Sequence, residues 1–282
     1  MIFALALNIL LGVSDTAYSV EKELDMFTHA VSMTTDGKGF IYVLDKDQNQ
    51  IYKLDSNLNV VKVAGGKGWN QVQFDAPTFI DGSSGLDIIV SDPNNYRIQR
   101  LDLNLAFISQ LKTDQPTFLE QYQFKTPIST TVVNASDLYV VDGDNKRVVV
   151  FPRGADPNNA FGGFNSPKGK VVDPAKIGKD GNNMIYVLDK GNSSIKVYDN
   201  FGSYQKDIRP DKILSFSIYG NILFIFDGKT VITYDINKGS FAGSMTQIIE
   251  EEGRDFTDFL VYNNNKYLLL EKNKVSLLIN KN

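Results

Sequence analysis

Acidic residues hold a fixed place in a phrase that recurs along this 282-residue chain. Asp45, Asp92, Asp142, Asp189, Asp227 and Glu271 each close a short apolar run and open a polar turn. Carboxylates set in equivalent places could ring a cation or a sugar. An Asp at the start of a turn also accepts the backbone amides of that turn. Recurrence in every copy favours the second, structural role. Arg97 and Arg147 follow Asp92 and Asp142 at the same interval, so an ion pair would tie each turn down. Asp45–Asn49 and Asp142–Lys146 begin like calcium loops, but such a loop needs Gly at its sixth place and Glu at its twelfth. Gln50 and Ser56 stand there in the first, Arg147 and Arg153 in the second. No metal and no cofactor is expected.

Other reactive groups are scarce. There is no cysteine, which removes disulfides, thiolate zinc sites and thiol nucleophiles. His29 is the one histidine, so no mechanism needing two fits a single chain. It stands at or before the first inner strand, where it could face a central channel and titrate near neutral pH. Trp69, the one tryptophan, lies in a Gly-rich connection at Gly65–Phe74 that reads as flexible. There it could stack on a sugar, anchor a partner or cap a gap between repeats. Tyr96, Phe118 and Tyr122 fall on the same expected face. With Arg97 and Arg147 they outline a candidate recognition surface. The net charge of −4 and the lack of basic runs argue against nucleic-acid binding.

The phrase itself sets the architecture. It reads IYVLDKDQNQIYKLD at Ile41–Asp55, IIVSDPNNYRIQRLD at Ile88–Asp102, LYVVDGDNKRVVVFP at Leu138–Pro152 and IYVLDKGNSSIKVYD at Ile185–Asp199. Shorter copies occupy Leu223–Asp235 and Tyr267–Asn280. The spacing matches one four-stranded propeller blade. Within the second unit, strands are expected at Thr78–Ile80, Asp87–Ser91, Tyr96–Leu101 and Ala106–Leu111. Pro77, Pro127, Pro167 and, less clearly, Pro210 precede inner strands, where a residue without an amide donor belongs. The last copy runs out after three strands, and Tyr18–Leu24 has strand character with no unit of its own. An all-β, six-bladed propeller of four-stranded antiparallel blades follows, its last blade completed by the N-terminal strand. The connections at Gln115–Lys125 and Thr246–Asp258 are long enough for helical turns. The latter carries Glu250, Glu251, Glu252 and Asp255.

Residues 1–19 read as a signal peptide, with an apolar core followed by Ala17 and Ser19 at the places a signal peptidase reads. No Lys or Arg precedes Lys22. Cleavage before Val20 would leave a single domain over 20–282, exported to the periplasm or outside the cell. No membrane span is expected in the mature chain, and a monomer is expected.

The grammar of Pro, apolar run, Asp, polar turn with Asn, and Arg-Ile resembles the NHL-repeat family of six-bladed propellers. Asp92, Asn95, Arg97 and Ile98 carry it best, followed by Asp142, Asn145 and Arg147. The fifth and sixth copies depart from it, with short turns that lack the Arg. The resemblance implies a frame on which many activities sit. The peptide-amidating lyase on a similar propeller holds its metal through several histidines. Streptogramin lyases have seven blades and use a histidine base. Gluconolactonase-like propellers hold one divalent ion at the channel through Glu, Asn and Asp, and no position here matches clearly. The reading is a non-catalytic binding or scaffolding propeller for a peptide, protein or glycan. The alternative is a metal-dependent hydrolase or lactonase acting at the central channel.

Overall fold

The computed structural model describes residues 18–113, 119–154, 156–245 and 254–280. Phe118, Glu250, Glu251, Glu252 and most of the apolar N-terminal segment lie outside them. The first strand, β1 (Tyr18–Asp25), belongs to the last blade. Blade one is β2 (Ala30–Thr35), β3 (Ile41–Asp45), β4 (Gln50–Leu54) and β5 (Val60–Gly65). Blade two is β6 (Phe79–Asp81), β7 (Asp87–Asp92), β8 (Arg97–Asp102) and β9 (Phe107–Lys112). Blade three is β10 (Pro127–Val133), β11 (Asp137–Asp142), β12 (Arg147–Phe151) and β13 (Asn159–Phe161). Blade four is β14 (Pro174–Lys179), β15 (Ile185–Asp189), β16 (Ser194–Tyr198) and β17 (Tyr204–Ile208). Blade five is β18 (Ser215–Tyr219), β19 (Ile222–Phe226), β20 (Val231–Asp235) and β21 (Ser240–Met245). Blade six is β22 (Phe256–Val261), β23 (Lys266–Glu271), β24 (Lys274–Asn280) and, at its outer edge, β1. All pairings are antiparallel, and β2, β6, β10, β14, β18 and β22 neighbour one another in a closed circle.

Each blade buries both faces, so its second strand is a continuous apolar run and not an alternating one. The residues of β3, β7 and β15 are all buried. The apolar side chains collect into six clusters, and each cluster fills one blade–blade interface. Tyr42, Leu44 and Ile51 of blade one meet Ile88 and Val90 of blade two. Leu268, Leu270 and Leu277 of blade six meet Ile41 and Val43 of blade one, so the ring closes on the same kind of contact.

Closure uses the N-terminal strand as expected. Tyr18 pairs with Asn280 and Asp25 with Lys274, with a bulge between Val20 and Lys22. Lys266 Nζ meets Glu21 at 2.7 Å, and the Tyr18 ring stands edge-on to Tyr267 at 5.3 Å. Pairing therefore starts two residues ahead of Val20.

The proline pattern needs one correction. Pro127 and Pro174 open their inner strands, each paired with its blade's acid, Asp142 or Asp189. Pro167 lies upstream in the connecting loop. The reason is register: the residue opposite the acid sits before a bulge at the strand's entry, where a missing amide costs nothing. Deleting residues through Asp25 should expose the edge of β24. We expect self-association in size-exclusion chromatography and a lower, broader thermal transition; a monomer of unchanged stability would contradict this closure.

Candidate functional site

Four of the recurrent acids accept backbone amides from the entry to the first strand, and Asp45 those of its own turn as well. Asp45 accepts Asp47 N at 3.1 Å and Gln48 N at 3.0 Å from its turn. It also accepts Thr28 N at 2.6 Å, from the entry to β2. Asp92 takes Asp75 N at 2.8 Å, Asp142 takes Lys125 N at 3.1 Å, and Asp189 takes Val172 N at 3.1 Å. One buried carboxylate thus joins the start of the innermost strand to the turn after the second strand. Asn95, Asn145 and Asn192 each donate Nδ2 to the acid before them, at 2.7–2.8 Å. Glu271 receives Arg254 Nε at 3.0 Å in place of a backbone amide. Asp227 departs, serving only Lys229 and Thr230 of its own turn.

Arg97 and Arg147 extend this fastening to the loops between blades. Arg97 Nε binds Asp92 Oδ2 at 2.9 Å, with both side chains almost wholly buried. Its Nη1 donates to Trp69 O at 2.6 Å, and its Nη2 to Gln73 O at 2.7 Å and Asn70 O at 3.2 Å. Burial pushes the Asp92 carboxyl up, and the bonds from Asp75, Asn95 and Arg97 oppose it. Arg147 repeats the clasp on Gln121 O at 2.5 Å and Gln123 O at 2.7 Å. The Gly65–Phe74 connection is accordingly pinned, with Asn95 Nδ2 on Gly68 O at 2.9 Å and Gln99 Oε1 on Val72 N at 3.0 Å.

The loops and turns on this side display aromatic rings on one face. Trp69 is 67% exposed and Tyr96 62%. Tyr122 is half-buried and packs against the interface of blades two and three. Phe164, which sequence reasoning passed over, is 81% exposed, with Lys170 Nζ 4.0 Å from its ring centre. Its signal was available: a lone Phe in the Gly-Gly-Phe-Asn-Ser-Pro loop at 162–167. A surface groove of about 530 Å³ runs between Tyr122, Asn145, Arg147 and Phe164. His29 stands at the entry of β2, its Nδ1 3.3 Å from Asp47 Oδ1. It does not line the channel cavity.

The channel has its own order. The inner edge of each first strand carries amides with no strand beside them, and buried amides need acceptors. Side chains of the preceding blade supply these. Ser32 Oγ accepts Ile80 N at 3.3 Å, and Thr34 Oγ1 accepts Gly82 N at 2.9 Å. Ser129 Oγ accepts Ile177 N at 3.1 Å, and Ser217 Oγ accepts Val261 N at 3.2 Å. Asp258 Oδ2 accepts Met33 N at 3.3 Å, across the seam. Asp258 Oδ1 takes Lys176 Nζ at 2.6 Å and Ser215 Oγ at 2.5 Å. Lys176 Nζ also lies 3.0 Å from Ser215 Oγ, so the three groups form one cluster. The channel cavity is about 120 Å³ and opens to solvent. Asp81 lines it, and burial raises the Asp81 carboxyl above its ordinary 3.8. Among the described residues no three His, Cys, Asp or Glu side chains converge as metal ligands.

Comparison with known proteins bears on the frame alone. No family model and no curated protein sequence matches the chain, so membership of the NHL-repeat family is not shown. Solved structures do match. A streptogramin B lyase superposes with a TM-score of 0.66 at 13% identity, over 93% of this chain and 97% of that one. A catalytically inactive virginiamycin B lyase variant from Staphylococcus aureus with quinupristin gives 0.66 at 11%, over 93% and 99%. The Cps50 (Swd1) β-propeller domain of Myceliophteria thermophila gives 0.62 at 7%, over 93% and 99%. An enzyme and a domain not named as one share this frame, and identities this low speak for the fold only.

Two outcomes follow. Arg97→Ala strands a buried carboxylate and should cost about 3–5 kcal/mol in urea unfolding, with no rescue by Arg97→Lys; a loss below ~1 kcal/mol would make the clasp incidental. Asp81→Thr should be more stable than the parent at pH 7. Because the folded state favours protonated Asp81, the parent's deficit grows as pH rises above the ordinary carboxylate range. The gap in melting temperature should therefore narrow toward pH 4. A gap independent of pH would show that Asp81 carries no buried-charge penalty.

Proposed function

We propose that this propeller is a non-catalytic binding or scaffolding module, with a peptide, protein or glycan as its ligand on the loop face. The observation that carries the reading is a set of exposed rings on one face: Trp69 and Tyr96 beside the buried Asp92–Arg97 clasp, which holds Trp69 by its backbone carbonyl, and Phe164 beside the groove that Arg147 lines. Aromatic rings on fixed backbone offer contact area at low entropic cost, which is how recognition surfaces obtain affinity. The groove beside Phe164 adds the amides of Asn145, Asn165 and Gln121, which suit the hydroxyls of a sugar or the backbone of a peptide.

The enzyme reading, a metal-dependent hydrolase or lactonase at the channel, has less support. Asp258 spends its oxygens on Lys176, Ser215 and two backbone amides. Asp81 shares its cavity with Lys176 and Lys179, whose ammonium groups oppose a cation. The histidine that a lyase of this frame would call on has one candidate, His29, and it lies against Asp47 at the blade entry.

Export is part of the proposal, with removal of residues 1–19 during secretion. Protein expressed from the full chain and secreted should have Val20 at its N-terminus by intact mass; retention of Met1 would contradict it. The binding claim is tested on glycan and peptide arrays with the parent, Trp69→Ala and Phe164→Ala. The expected result is a ligand class that the parent retains and one variant loses at least tenfold with melting temperature unchanged. Binding insensitive to both variants, or turnover of the ligand abolished by chelation, would overturn it.

A further inference from the structure

The inner strands share one register, and it makes Asp81 an exception. The residues paired with the position three before each recurrent acid are Thr34, Asp81, Thr131, Gly178, Ser217 and Leu260. Half of these are hydroxyl residues, and Thr34 and Ser217 show what the position needs: one oxygen to accept an amide of the next blade. A carboxylate exceeds that need. Asp81 Oδ1 accepts Ser83 N at 2.9 Å, and Thr131 and Val132 of blade three also bond toward this carboxyl, while Oδ2 meets no partner in full hydrogen-bond geometry although the residue is only 8% exposed. A buried, unpaired carboxylate oxygen costs stability that a threonine here would not.

The surroundings narrow what could complete it. The cavity is lined by Asp81, Ser83, Thr131, Lys176 and Lys179 among others. Lys176 is occupied by Asp258 and Ser215. Lys179 closes β14 at the same end of the strand as Asp81 closes β6, and it has no ion-pair partner among the described residues. One spare carboxylate oxygen and one spare ammonium therefore border a space of about 120 Å³. Two ammonium groups disfavour a metal ion there, and the space is too small for a peptide or an oligosaccharide.

We propose that the central channel binds a small α-amino acid as its zwitterion, the α-ammonium on Asp81 and the carboxylate on Lys179. This site is separate from the loop face and stands or falls without it. Glycine and L-alanine are the probes, titrated calorimetrically against the purified protein, with methylammonium and acetate as half-ligands. Glycine or L-alanine should bind at millimolar concentration or tighter, and each half-ligand at least tenfold more weakly. Asp81→Thr keeps the oxygen that joins the blades and should abolish binding while still unfolding cooperatively. Lys179→Met should weaken binding at least tenfold, and it supplies the test if Asp81→Thr does not fold. No heat with either amino acid up to tens of millimolar, equal binding of a half-ligand, or binding untouched by the variants would overturn the assignment.

Discussion

The ring depends on how it satisfies the amides along its innermost edge. Six first strands face a narrow channel, and on that side none has a neighbouring strand to bond with. Amides buried there without acceptors would each cost about 1–3 kcal/mol. The solution is a relay in which a short polar side chain of one blade accepts the amide of the next. Ser32, Thr34, Ser129 and Ser217 do this with hydroxyls, and Asp258 does it across the seam between the last blade and the first. The relay sets blade spacing at the axis. The six apolar interfaces then fill outward from it, and β1 seals the outer edge of the last blade.

At the opposite end of each blade's second strand, a carboxylate solves a related problem. The entry to the first strand and the turn after the second are both loops with unpaired amides, and Asp45, Asp92, Asp142 and Asp189 gather them together. Two blades add a guanidinium that reaches the loop from the previous blade. The same chemistry that closes the turns thus holds the loop that carries Trp69 and the turn that carries Tyr96. Arg97 and Arg147 therefore tie the blade turns to the loops between blades.

The legible parts were those with local causes. Apolar runs ending in an acid mark second strands, and the missing fourth strand of the last copy points to Tyr18–Leu24. The strands of blade two lie within one residue of their expected bounds at every end. Pro167 misled because a proline in a connecting loop looks like one at a strand entry until register is known. The relay was harder to see, since a hydroxyl's partner lies one blade away and is set by the curvature of the ring. Its trace is nevertheless present as Ser-x-Thr at 32–34 and 129–131 and Ser-x-Ser at 215–217. Asp81 was illegible for the same reason: only beside Thr34, Thr131 and Ser217 does its extra oxygen stand out.

The central claim is that side chains of one blade lock the channel-edge amides of the next. Native-state hydrogen exchange of the parent protein tests it most directly. The amides of Met33, Ile80, Gly82, Ile177 and Val261 should exchange only through global unfolding, with the same denaturant dependence as the buried amides of β3 and β15. Exchange of these five through small local openings, at rates typical of surface loops, would contradict the account.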